Sequence, residues 1–169
     1  MVRILMGAGA GKTTAAAGLS LRAASHGKRV RILQLLKPDV SPEFSVLNAF
    51  GNVSVTVANP DIPFFFTLKD REKAKRISET EQAVKAFFTP HDDDFLLVLD
   101  EIGGALQNGM LSESVLLSYL QALPESVHIV LTGRYFPQSI LDKADCISEI
   151  RCVRHPYENG ISAVEGIEY

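Results

Sequence analysis

The 169-residue chain has little cysteine: Cys146 and Cys152 are the only two. Both fall in a segment, Cys146–Val153, that reads as a strand. Extended backbone would hold them roughly 20 Å apart, beyond the reach of a disulfide. No Cys/His cluster has the spacing of zinc ligands, which excludes a structural zinc module. Net charge is scarce too, since 17 Lys and Arg against 20 Asp and Glu leave −3. A chain this close to neutral has no global field to attract nucleic acid or an anionic membrane. No apolar run approaches the roughly 18–20 residues of a membrane span. No charged stretch, apolar stretch and cleavage site follow one another at the N-terminus, so no signal peptide is expected and the expected compartment is the cytosol.

What is present is an ordinary globular composition, 46% apolar and 22% charged. That is too hydrophobic, with too little net charge, for a disordered chain. The length fits a single domain over residues 1–169, able to bury roughly two-thirds of its unfolded surface. Apolar runs alternate with helical patterns throughout. Val2–Met6 is a strand, Gly7–Gly11 a turn, and Lys12–Ser25 a helix stopped by Gly27 as a C-cap. Arg29–Leu36 follows as a strand, closing a right-handed βαβ unit. Lys37–Gly51 reads as loop with one helical turn, and Asn52–Ala58 as a strand. Thr67-x-x-Asp70 fits a capping box that opens a helix to Phe88. Phe95–Leu99 and Val127–Leu131 are further strands, separated by a helix at Glu113–Leu123. A short helix at Pro137–Lys143 precedes the strand at Cys146–Val153. The predicted class is α/β, an open, mostly parallel sheet with helices on both faces, and the glycine-rich turn with Lys12 and Thr13 between its first strand and first helix makes it P-loop NTPase-like.

Three stretches carry chemistry. Gly7-Ala8-Gly9-Ala10-Gly11-Lys12-Thr13-Thr14 follows a strand and opens a helix, the context that a phosphate-binding loop requires. Glycines let successive N–H groups converge on phosphate oxygens, and the helix N-terminus adds partial positive charge. Lys12 supplies a full charge, and the Thr13 hydroxyl an oxygen ligand suited to Mg²⁺. The usual pattern places its first glycine at position 6, where this chain has Met6; the glycine comes one residue later, at Gly7. Leu96–Glu101 (LLVLDE) carries adjacent acids to the C-terminal edge of the sheet, where Asp100 or Glu101 would hold Mg²⁺ directly or through water. Thr132-Gly133-Arg134 ends the following strand, and the Arg134 guanidinium can fork onto phosphate oxygens. Phe64, Phe65 and Phe66 fit either a core cap or an apolar pocket, with the core reading preferred on the residues alone. Lys69–Arg76 reads as the solvated face of a helix. The four histidines are dispersed and receive no role.

Together with the ending RHPYENGISAVEGIEY, these stretches resemble the P-loop ATP:corrinoid (cob(I)alamin) adenosyltransferases, across nearly the whole chain. The resemblance implies transfer of the 5′-deoxyadenosyl group of ATP to Co(I), with tripolyphosphate leaving. Gly7 to Thr14 would cradle the phosphates. Lys12, Glu101 and Arg134 would be catalytic, and Thr13, Asp100 and Glu101 would hold Mg²⁺ or Mn²⁺. Phe65, Phe66, Thr67 and Leu68 would form the loop packed against the corrin. A homodimer and a reductase supplying Co(I) are implied as well. Ala10 stands where the family has a second lysine, and Leu68 where it has tryptophan. Relatives begin with an extra segment covering the corrinoid, and this chain starts at its first strand, so that cover is expected to be missing. An ATP-binding relative without group transfer, whether a regulatory module or an ATPase or phosphotransferase, is the alternative; no residue that would orient a water for an ATPase can be picked out.

Overall fold

Strands that are apolar without alternation need cover on both faces. The computed structural model, which describes residues 1–58, 65–154, 160 and 162–167, with Phe66 by its backbone only, provides it. The strands are β1 (Val2–Met6), β2 (Arg29–Gln34), β3 (Val53–Val57), β4 (Asp94–Asp100), β5 (His128–Gly133) and β6 (Cys146–Glu149). They form one sheet in the order β3-β2-β4-β5-β1-β6, and every pairing is parallel. The helices are α1 (Lys12–Ser25), α2 (Pro42–Leu47), α3 (Asp70–Phe87), α4 (Ile102–Gln107), α5 (Glu113–Ala122) and α6 (Gln138–Leu141).

Successive strand residues point to opposite faces, so each central strand feeds two cores. On one face Leu5, Ile32, Val98 and Val130 meet Ala16 and Ala17 of α1 and Phe44 of α2. On the other, Ile4, Leu33, Leu99 and Leu131 meet Val84 of α3, Ile102 of α4, Leu116 of α5 and Ile140 of α6. Burying each of the larger side chains among these contributes about 1.5–3 kcal/mol. The small alanines of α1 let that helix lie close to the sheet. Gly27, at φ 69°, stops it, with its N–H on the Ala24 carbonyl.

Several boundaries differ from expectation. β2 ends at Gln34, because Leu36 adopts a left-handed φ of 56°. β6 ends at Glu149, four residues short of Val153; Cys152 lies beyond it, exposed, and both cysteines are free. The helix after the phenylalanines starts two residues later than the Thr67-x-x-Asp70 box would have it. Lys69 is the N-cap, and its N–H is taken by the Glu72 carboxylate at 2.9 Å. α4 was not expected, and α2 is longer than one turn. β1 and β2 are not neighbours: β5 and β4 lie between them. Their crossover through α1 therefore spans two strands.

Candidate functional site

A parallel sheet gathers the loops after its strands along one edge, and the candidate residues of β1, β4 and β5 all meet there. Gly7 and Gly11 have φ of 114° and 96°, conformations that a side chain resists. A Cβ on Gly7 would sit 2.4 Å from the Ile150 carbonyl oxygen, and one on Gly9 2.8 Å from it. The loop is therefore pressed against the backbone that follows β6. Gly9 N–H donates to the Ile150 carbonyl at 2.8 Å, and Ile150 N–H donates to that of Met6 at 2.7 Å. Gly7 N–H reaches the Arg134 carbonyl at 3.3 Å.

Lys12 is buried, with its ammonium curled back into the loop, donating to the carbonyls of Gly7 and Gly9 at 2.8 Å each. Burial pushes its pKa down, and Arg134 adds to that; Glu101 and Asp100 act in the opposite sense. Gly11, the N-cap of α1, has no side chain to cap the helix, and the first turn holds no acid. Ala8 and Ala10 are exposed. The Thr14 hydroxyl donates to Glu43 of α2 at 3.0 Å.

Asp100 is fully buried and accepts on every side. Thr13 Oγ1 donates to it at 3.1 Å, Thr132 Oγ1 at 2.8 Å and Gln34 Nε2 at 2.9 Å. Lys37 Nζ stands 4.0 Å from its Oδ2. Gln34 is locked in turn, because its Oε1 accepts Ser41 N–H at 2.8 Å. Thr132 also bridges outward, accepting the N–H of Glu101 at 2.8 Å. Glu101 sits in a left-handed backbone, φ 62° and ψ 24°, a strain of about 1–3 kcal/mol of the sort concentrated at functional sites. Burial raises its pKa, and Asp100 raises it further; Lys12, Lys37 and Arg134 pull it partly back. Two carboxyls thus face three cations where a polyanion would have to sit.

The structure brings Lys12, Thr13, Asp100, Glu101 and Arg134 together at this edge. Phe65–Thr67 form a single 3-10 turn, between β3 and α3 in the chain. Phe65 packs against the core, and Leu68 N–H closes the turn on the Phe65 carbonyl at 3.2 Å. Phe64, the Phe66 side chain and most of the tail from His155 to Tyr169 lie outside the described residues. Gln34, Ser41 and the carbonyl of Ile150 were missed. A polar residue ending an apolar strand was the one signal available for Gln34; a backbone carbonyl has none. Gly133 and Gly103 also matter, because a Cβ on Gly133 would fall 2.6 Å from the Gly103 Cα. Their contact lets α4 start directly behind Glu101.

Among the described residues no cluster of three or more His, Cys, Asp or Glu could hold a metal by itself. One carboxylate and one hydroxyl nevertheless suit Mg²⁺, which keeps several waters and takes its other oxygens from phosphates. A glycine-rich turn between strand and helix, a lysine folded into it and an aspartate meeting the first helical threonine are the arrangement that defines the P-loop class.

Comparison with known proteins takes the assignment further. A profile of the family described as ATP:corrinoid adenosyltransferase BtuR/CobO/CobP matches residues 1–169, and the chain belongs to that family. It is similar to the corrinoid adenosyltransferase of Pseudomonas aeruginosa, 33% identical over 167 residues, covering 96% of this chain and 80% of that protein. It is similar also to the corrinoid adenosyltransferase CobA of Salmonella typhimurium, 31% identical over 170 residues, covering 100% of this chain and 85% of that one. Among solved structures, a KaiC-like protein from Pyrococcus horikoshii aligns with a TM-score of 0.54 at 19% identity, over 89% of this chain and 71% of that one. The cytoplasmic domain of the Thermomonospora curvata type VII secretion ATPase EccC aligns with a TM-score of 0.53 at 19% identity, over 95% of this chain and 21% of that one. At such identity these two structures speak for the fold alone. No helix among the described residues is long and apolar enough to cross a membrane.

Proposed function

We propose that this chain, as a single nucleotide-binding domain, binds ATP at the Gly7–Thr14 loop and transfers the 5′-deoxyadenosyl group to the Co(I) of a corrinoid. In that reaction the cobalt lone pair attacks ribose C5′, the C5′–O bond breaks, and its electron pair leaves with tripolyphosphate. The observation that carries the reading is the buried Lys12 ammonium, held inside the loop by two carbonyls at 2.8 Å. Phosphate oxygens would compete with those carbonyls and take the charge. Positioned charge on a leaving group is the main lever available to such an enzyme.

Lys12 and Arg134 would stabilise the departing tripolyphosphate. Thr13 and Asp100, with Glu101 beside them, would hold Mg²⁺, which when bound neutralises phosphate charge. Lys37, 4.0 Å from Asp100, would supply a cation beside a loop that has Ala10 in place of the family's lysine. Phe65, Phe66, Thr67 and Leu68 would face the corrin. A homodimer in the cytoplasm, served by a reductase that delivers Co(I), completes the proposal.

The test is an anaerobic assay with MgATP and chemically reduced cob(I)alamin, followed by the absorbance change on cobalt–carbon bond formation. Adenosylcobalamin and tripolyphosphate are expected in equal amounts. ATP binding without product would refute the transferase. Lys12→Ala is expected to fold and to lose ATP binding; retained binding would refute the loop assignment.

A further inference from the structure

At the opposite edge of the sheet, where the strands begin, a hollow of about 450 Å³ opens beside the C-terminal half of α1. That size is typical of small-molecule sites. Its rim carries Arg3, Arg22, His26, Lys28 and His128, together with the N-terminal residue Met1, and no carboxylate lines it. Its floor is apolar, built from Leu19, Ala23, Phe95 and Val130.

The cations have not been neutralised by the fold. Among the described residues Arg3, Arg22 and Lys28 make no ion pair, whereas the neighbouring Arg29 and Arg31 pair with Asp93 and Asp94. Lys28 Nζ lies 5.2 Å from the centre of the Phe95 ring, and the His128 ring meets Phe95 edge-on at 4.9 Å. The His128 Nδ1 is shielded from solvent and has no hydrogen-bond partner among the described residues. The partial negative charge of the α1 C-terminus is muted, because the carbonyls of Ala23 and Ala24 accept N–H groups from His26, Gly27 and Lys28. A charged rim of one sign over an apolar floor selects a ligand with both characters.

We propose that this hollow is a second ligand site, for a small amphiphilic anion: an aromatic or aliphatic body carrying a carboxylate, sulfonate or phosphate. The apolar body lies on Phe95 and Leu19, and the anionic group faces Arg22 and Lys28. The site is separate from the phosphate loop, since the 14 residues of α1 place its two ends about 20 Å apart.

The experiment is a fluorescence titration of the full chain with 8-anilino-1-naphthalenesulfonate, alongside the uncharged N-phenyl-1-naphthylamine. Saturable binding of the sulfonate is expected, unaffected by saturating MgATP or by Lys12→Ala. Arg22 and Lys28 are exposed, so the double variant Arg22→Glu/Lys28→Glu should keep a cooperative melt and lose at least about tenfold in sulfonate affinity. The uncharged probe should bind both proteins alike. If charge reversal disturbs folding, Arg22→Gln/Lys28→Gln supplies the same comparison. Equal affinity in wild type and variant, or displacement by MgATP, would overturn the proposal. So would failure of the wild type to bind, with the double variant turning a dimer into a monomer by sedimentation velocity. That result would make the face an interface between copies.

Discussion

Asp100→Asn changes one atom, and the surrounding network sets its consequence. Oδ1 of Asp100 accepts from Thr132 and Thr13, and Oδ2 from Gln34. An asparagine keeps one oxygen and turns the other position into a donor. Facing Gln34, that donor meets another N–H, and Gln34 cannot turn over because its Oε1 is held by Ser41 N–H at 2.8 Å. Facing Thr132, it meets a hydroxyl that already accepts Glu101 N–H. Either orientation leaves a buried donor unmet, at a cost of about 1–3 kcal/mol. Relief of the carboxylate's desolvation offsets part of that, and loss of the Lys37 ammonium's partner at 4.0 Å takes some of the relief back. The net expectation is a loss of about 1–2 kcal/mol, which lowers Tm by about 2–8 °C in a domain of this size. Thermal melting by circular dichroism reads it directly. Excess MgATP should raise Tm in the wild type and much less in the variant. An unchanged or higher Tm for Asp100→Asn would refute the claim that this carboxylate organises its surroundings by accepting from every side.

Glu101→Gln tests the raised carboxyl. A carboxyl whose folded pKa is raised contributes stability that is fully present below its ordinary value of 4.5 and is lost as pH rises through the folded value. Glutamine has no such loss, so the Tm difference should move in favour of Glu101→Gln between pH 4 and pH 8, while transfer activity falls; a difference constant with pH would contradict the burial argument. Gly9→Ala drives a methyl to 2.8 Å from the Ile150 carbonyl oxygen and should cost about 1–3 kcal/mol in denaturant unfolding, with ATP affinity reduced. Phe66→Ala should weaken corrinoid turnover and leave ATP affinity nearly unchanged in calorimetry. Equal losses in both would place this residue with the nucleotide instead.

The strand–turn–helix around Lys12 and the acids ending β4 were legible because each is a local pattern: an apolar run, glycines, then a charge at a fixed offset. The continuous apolar runs located the strand centres for the same reason. The helix α4 was hidden by its own composition, since IGGALQ holds two glycines, and glycine disfavours helix by about 1 kcal/mol each. The contact of Gly103 with Gly133 requires that small size, and it joins residues 30 positions apart. The start of α3 was misread because lysine is a poor N-cap by side chain, and the Glu72 carboxylate caps its backbone N–H instead. Strand order was not legible at all. That β5 stands between β4 and β1 decides that Thr132 links Asp100 to Glu101, and no residue in either strand announces its neighbour.

The position of β1 has a consequence for how the molecule is made. The Gly7–Thr14 loop is encoded in the first fourteen residues, yet β1 is flanked by β5 and β6, the last strands of the sheet to be synthesised. The Gly9 N–H finds its partner at Ile150. A chain emerging from the ribosome therefore holds its N-terminal strand unpaired until about residue 130, and its loop unclamped until residue 150. On the proposed assignment, a nucleotide would meet an early chain whose Gly7–Gly11 turn still lacks its contact with Ile150. Pairing β1 with β5 and β6 is a non-local step of the kind that slows folding. ATP should accordingly protect the completed protein from unfolding while leaving the rate of its first folding steps unchanged.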